Sequence, residues 1–187
     1  DTAPPDLELQ PINDLVEQIR WVKDETEIQI LAKAARITDI AWEKSLPLIK
    51  PGVTEQEIAL EFDYQLRLNG ADGSAFTTIV ASGRRSALPH GTASAKKIQI
   101  GDLIIIDGGA LYRGYHADMT RTVVLGKASP QQSTIYDIVL KAQQAVLECL
   151  KPDLSGSAVD SLARDIIGRY GYGEYFGHGL GHSVGLN

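Results

Sequence analysis

Leu103-Ile-Ile-Ile-Asp107-Gly108-Gly109-Ala110-Leu111-Tyr112-Arg113-Gly114-Tyr115-His116-Ala117-Asp118-Met119-Thr120-Arg121-Thr122 is the stretch on which the reading of the fold turns. Leu103 to Ile106 is a short, β-branched apolar run, the pattern of a buried strand. Met119 to Leu125 is again rich in β-branched residues and reads as the strand returning. A two-residue loop at Tyr112-Arg113 would set Leu111 opposite Gly114 and Asp107 opposite Asp118. Opposed residues on an antiparallel pair have Cβ atoms roughly 4.5–5.5 Å apart, and like charges there are destabilising. Two aspartates so placed need a shared proton or a metal ion between them. The bland alternative is a surface pair beside a turn, but the Ile-rich run before Asp107 and the glycines after it argue for burial. Tyr-Arg-Gly is not the Asn-Gly or Asp-Gly that a tight hairpin prefers, so a bulge or longer loop would shift this register.

Working outward, Gly101-Asp102 breaks the chain ahead of the hairpin, after a segment from Ile98. Phe76 to Ala81 reads as a strand. Ser82-Gly-Arg-Arg-Ser-Ala-Leu-Pro89-His90-Gly91 reads as a loop. Upstream, a helix is expected from about Asp24 to Leu46, with Ile28, Leu31, Ala32, Ala35, Asp39 and Trp42 as its stripe. Thr54-Glu-Gln-Glu57 is a capping box for a second helix that runs to Leu68 and stops at Asn69-Gly70. Downstream, Ser129-Pro130-Gln-Gln132 opens a third helix to about Leu150, and a fourth runs from about Ala158 to Tyr170. Each half of the chain thus has a helix pair, and the first pair leads into strands. Trp21 and Trp42 are expected in the core. Arg84, Arg85 and Arg121 are expected to pair with surface acids. Residues 1–20, with Pro4, Pro5 and Pro11, read as a linker or the tail of a preceding domain.

The last stretch, Gly177-His178-Gly-Leu-Gly181-His182-Ser-Val-Gly185, holds four glycines and two histidines in nine residues, so it reads as close-approach backbone. It is too helix-hostile for the helical His-x-x-x-His of zinc proteases, and no Glu lies between the histidines. One histidine with carboxylates suits Mn²⁺, Co²⁺ or Fe²⁺ better than a structural zinc. Such a centre activates water for attack on a carbonyl. His90, after Leu-Pro, is either a solvated loop residue or part of the site. His116 shares a face with Asp118 by alternation and reads as structural.

Composition narrows the class. With 43% hydrophobic and 22% charged residues, the 187-residue chain is an ordinary globular protein. A net charge of −6, spread along the chain, leaves no footprint for nucleic acid or an anionic membrane. The single cysteine, Cys149, excludes an intrachain disulfide framework and a cysteine-based zinc site. No apolar run approaches the roughly 20 residues of a membrane helix. There is no signal peptide and the first residue is Asp, so a processed, cut or engineered start and a cytoplasmic location are expected.

Ile-Asp107-Gly-Gly, then Asp118-x-Thr120-Arg-Thr, then Gly181-His182-x-x-Gly185 resembles the pita-bread metallopeptidases: aminopeptidase P, prolidase and methionine aminopeptidase. Ser-Gly-x-x-Ser-Ala-x-Pro-His90, and the opening Arg20-x-Val-Lys-x-Glu25-x-Glu-Ile, are similar to the proline-specific branch. The resemblance covers the chain from about Arg20. It implies an α+β pita-bread catalytic domain over residues 21–187, incomplete at its C-terminus. It implies Asp107, Asp118 and His182 as metal ligands, with Asp118 contacting both ions of a pair. His90 and His178 would bind substrate and steady the reacting carbonyl. The expected cofactors are two divalent ions, Mn²⁺ or Co²⁺ first and Zn²⁺ or Fe²⁺ after them. The family's two glutamate ligands and a third histidine lie beyond Asn187.

The expected activity is cleavage between an N-terminal residue and proline, by an aminopeptidase or dipeptidase acting as a homodimer, with the chain alone inactive and a weak binder of metal. A non-catalytic binding module and a metal-free, creatinase-like enzyme are the alternatives. Retention of all three visible ligands argues against both. The third and fourth helices are expected to leave apolar faces uncovered.

Overall fold

The computed structural model describes residues 12–186; Pro4, Pro5, Pro11 and Asn187 lie outside the described residues. The helices are α1 (Leu15–Trp21), α2 (Glu25–Ser45), α3 (Glu55–Leu68), α4 (Pro130–Cys149) and α5 (Gly156–Arg169). Three of them start on a full capping box. Asp24 and Glu27 open α2, Thr54 and Glu57 open α3, and Ser129 and Gln132 open α4; in each the cap side chain takes one orphan amide and the third residue reaches back for another. The α1 helix falls inside the stretch read as linker.

The face that α2 buries is Ala34, Ile37, Thr38, Ala41 and Ser45. This corrects the expected stripe, in which Ala35 is exposed and Ile28 is 50% exposed. Small residues at Ala34, Ala41 and Ser45 let the helix lie close to the strands beneath it. There the Thr38 hydroxyl accepts the Ala110 amide at 3.0 Å. Trp42 packs against the core, but Trp21 is 64% exposed and does not belong to it.

Among the described residues, seven short strands form two antiparallel sheets. Strands β2 (Ile79–Ser82), β3 (Leu103–Gly108) and β6 (Met119–Val124) make one, in the order β2-β3-β6. Strands β1 (Gly73–Ser74), β4 (Ala110–Tyr112), β5 (Tyr115–His116) and β7 (Gly185–Leu186) make the other, in that order. The central hairpin belongs to both, crossing from one sheet to the other at Gly109. A side chain at Gly109 would run into the carbonyl oxygen of Ala117, and one at Gly108 would meet the Phe62 ring. Both positions therefore require glycine for close approach rather than for turn geometry.

The hairpin register differs from the expected one by two residues. Tyr112 pairs with Tyr115, so the loop is Arg113-Gly114, both at positive φ. Asp107 lies opposite Thr120, not Asp118. The reason is backbone conformation: a two-residue loop that follows the strand twist needs positive φ at both positions, and Gly114 supplies one of them without strain. A shift of two preserves the face, so Asp118 becomes the diagonal neighbour of Asp107 on the same side of the hairpin.

Alternation along β3 separates core from site. Ile104, Ile106 and Gly108 are buried, with Phe62, Ile58 and Ile37 of the helices in the same cluster; Leu103, Ile105 and Asp107 turn the other way and are only half-buried. A second cluster, Ile138, Ala142, Val146, Ala163 and Ile167, lies between α4 and α5. Val139 and Leu147 of α4 are more than half exposed.

Candidate metal centre

Asp107 sits at the end of β3 with its carboxyl half-buried, and the Thr120 hydroxyl donates to it across the ladder at 2.7 Å. Burial pushes this carboxyl up. The Thr120 hydrogen bond opposes the rise, the neighbouring Asp118 adds to it by charge and by hydrogen bonding, and His90 pulls it down. Asp118, just before β6, lies 3.1 Å from His182 through Oδ2 and Nε2. Residues 64 positions apart in the chain thus meet. Asp118 touches His182 and acts on Asp107, and His90 is close enough for its charge to reach Asp107. His178 stays on its loop: its Nδ1 faces the Gly179 carbonyl at 2.7 Å and its ring meets the Phe176 ring edge-on at 5.3 Å.

A cavity of about 420 Å³ opens beside Asp118 and His182. Its wall includes His116, Tyr115, Phe76 and Trp21. Asp107, His90 and His178 lie outside that lining. His116, read as structural, holds the Gly185 carbonyl through Nδ1 at 3.3 Å and also faces the cavity. The Tyr115 hydroxyl donates to Glu27 at 2.8 Å, which pushes the phenol above its usual range. Arg20, whose guanidinium donates to the Leu186 carbonyl, closes one end. Sequence reading missed Tyr115, Phe76 and Glu27. The opening Arg20-x-Val-Lys pattern was the one signal that pointed near this wall.

Two clamps hold the loops that carry the histidines. Glu55, fully buried at the start of α3, accepts from the amide and hydroxyl of Ser82 and of Ser94, and from Arg85 Nε at 3.1 Å. Arg85 also donates to the Thr92 carbonyl at 2.6 Å. These four residues bracket His90 on both sides. Arg85 therefore pairs with a buried acid rather than the surface acid expected, because the loop folds back over the helix start. Burial alone would push the Glu55 carboxyl up; the hydrogen bonds from Ser94 and Ser82 outweigh it and hold the group below the usual glutamate range. The second clamp, Asp160 and Arg164 on α5, grips the segment around His178. Hydrogen bonding from Arg164 lowers the Asp160 carboxyl, with burial opposing it.

The donor set fits a divalent cation in kind. A half-buried carboxyl beside a second carboxylate is an unfavourable pairing that a cation relieves, and two carboxylates with an imidazole suit hard or borderline ions. Among the described residues, however, no group of three His, Cys, Asp or Glu side chains forms a complete metal cluster.

Comparison with known proteins identifies the family. The family model described as metallopeptidase family M24 matches residues 29–187. The chain is 49% identical over 179 residues to an Xaa-Pro dipeptidase of Pyrococcus horikoshii, covering 96% of this chain and 51% of the relative. Among solved structures, an Xaa-Pro dipeptidase from Bacillus anthracis matches with a TM-score of 0.95 at 48% identity, covering 97% of this chain and 51% of that one. An X-Pro aminopeptidase from Thermotoga maritima matches with a TM-score of 0.91 at 48% identity, covering 94% of this chain and 50% of that one. The chain spans about half the length of the relatives it matches. The α+β pita-bread architecture expected from the resemblance is the one these matches carry.

Proposed function

The chain belongs to metallopeptidase family M24, and from that premise we propose that the protein cleaves the bond between an N-terminal residue and a following proline, as an Xaa-Pro dipeptidase or aminopeptidase. The observation that carries the reading is the meeting of Asp118 and His182 at 3.1 Å, next to Asp107 and on the wall of a cavity. Asp107, Asp118 and His182 would hold the metal, which we assign as a pair of divalent ions, Mn²⁺ or Co²⁺. Bound there, such ions polarise a carbonyl and make water a better nucleophile at neutral pH.

The chain's own residues do the rest. Thr120 fixes the rotamer of Asp107 and keeps one carboxylate oxygen engaged. His90 and His178 donate hydrogen bonds to the carbonyl oxygen as negative charge builds on it. Phe76, Trp21 and Tyr115 give the cavity apolar surface against which a proline ring can pack. A homodimer is assigned on the resemblance alone. No helix among the described residues is long and apolar enough to cross a membrane.

The test is hydrolysis of Xaa-Pro dipeptides and longer Xaa-Pro peptides by the full-length, Mn²⁺-loaded protein, against Xaa-Ala controls. Activity that needs proline and disappears in Asp118→Asn and His182→Ala is expected. No hydrolysis of any Xaa-Pro substrate would overturn the reading. The 187-residue chain by itself is expected to bind Mn²⁺ weakly and to be inactive, because three donors underfill a two-ion site. Calorimetric titration showing two tightly bound ions would contradict that.

A further inference from the structure

The segment 177–184 carries His178 and His182, yet among the described residues no turn, loop or cap hydrogen bond between backbone groups begins or ends in it. The last such bond before it is Phe176 N to Gly173 O, and strand pairing resumes only at Gly185. Three glycines in that run add conformational freedom. Left to itself, this backbone would not keep an imidazole in one place.

What holds it is one turn of α5. Arg164 Nη1 donates to the Phe176 carbonyl at 2.7 Å and Nη2 to the His178 carbonyl at 2.6 Å. Asp160 Oδ1 accepts the Leu180 amide at 2.9 Å. The two side chains also pair with each other, Nε to Oδ2 at 2.5 Å, four residues apart on the helix. The guanidinium lies 4.6 Å over the Phe176 ring, which in turn meets the His178 ring. An i,i+4 ion pair that served only its helix would contribute a few tenths of a kcal/mol. This one sends three hydrogen bonds outward, to alternate residues of one loop.

We propose that Asp160 and Arg164 are positioning residues for the histidine loop, setting where His178 and His182 stand relative to Asp118. The proposal rests on the reading above, in which these histidines belong to the site. It depends on the planar fork of arginine: a lysine keeps the charge but cannot reach two carbonyls and the aspartate together.

The experiment uses the full-length protein, with Arg164→Lys and Asp160→Asn as variants and Arg169→Lys, on the exposed end of the same helix, as the control. Backbone order parameters for 177–184 near the rigid value of about 0.85 are expected in the unaltered protein, falling below about 0.6 in Arg164→Lys, with α5 unchanged. The Leu180 amide loses its exchange protection in Asp160→Asn. Mn²⁺ alone, followed by paramagnetic broadening of the His182 ring signals, reports the link to the site; in Arg164→Lys the affinity it reads falls on the order of 10-fold.

An unchanged loop in Arg164→Lys overturns the proposal. So does equal loosening of α5 and the loop, which would mean lost helix stability, and so does a loosened loop with His182 broadening unaltered. If Mn²⁺ fails to broaden His182 in the unaltered protein, the metal reading falls. The positioning role then stands or falls on loop order and on movement of the His178 and His182 ring signals in Arg164→Lys.

Discussion

Both oxygens of Glu55 are in use: Oε1 accepts twice from Ser82, and Oε2 accepts from Ser94 twice and from Arg85. A fully buried acceptor of this kind is costly to leave unmatched. Glu55→Gln replaces one acceptor oxygen with a donor facing donors, and we expect a loss of about 1–3 kcal/mol at neutral pH. The folded carboxyl lies below its ordinary value of 4.5, so its stabilisation is complete above that pH and fades as pH falls through the folded value. The gap between the two proteins in urea unfolding therefore narrows below pH 4.5; a gap that widens in acid would contradict the assignment. Nothing local in the sequence announces this role, because an acid in the first turn of a capped helix is ordinary. His182 and Asp118, by contrast, were legible, since Gly-His-x-x-Gly and Asp-x-Thr-Arg-Thr carry their family with them.

Among the elements, the strands and capped helices were readable because apolar runs, Pro and Gly stops and capping boxes are short-range signals. Two things were not. The buried face of α2 was misread because alanines occur on several sides of that helix, and only the partner surface selects Ala34 and Ala41 over Ala35. The hairpin turn was misplaced by one residue because Tyr112 was put in the loop with Arg113, whereas Tyr112 pairs with Tyr115 and Gly114 takes its place in the turn. Arg113 adopts φ 51°, with Gly114 at 83°. A non-glycine residue there is strained, and Asn tolerates the left-handed region better than Arg. Arg113→Asn should stabilise the hairpin by about 0.5–1 kcal/mol, seen as a rise in Tm. A lower Tm would mean that the Arg113 guanidinium, 5.6 Å from the Tyr112 ring centroid, matters more than the turn does.

At the scale of the whole molecule, the candidate site is assembled from two separate stretches of the chain. Asp107 and Asp118 ride on the hairpin above the first hydrophobic cluster, whereas His178 hangs from α5 and the second. Both units carry uncovered apolar side chains, Leu60 and Leu68 on α3 as well as Val139 and Leu147 on α4. The two clusters share no buried residue, and this has a consequence for how the chain folds. Each is expected to condense on its own, with the helical hairpin and the sheet unit as separate cooperative units and the site forming when they dock. Tryptophan reports on one of them alone: both tryptophans, Trp21 and Trp42, precede the sheet, and the second unit has only tyrosines and a phenylalanine. In urea, fluorescence from Trp42 should therefore lag the circular dichroism signal, which also counts α4 and α5; coincident curves would mean a single transition. Of the site residues, the histidines of the glycine-rich loop would be the last into place and the first to leave.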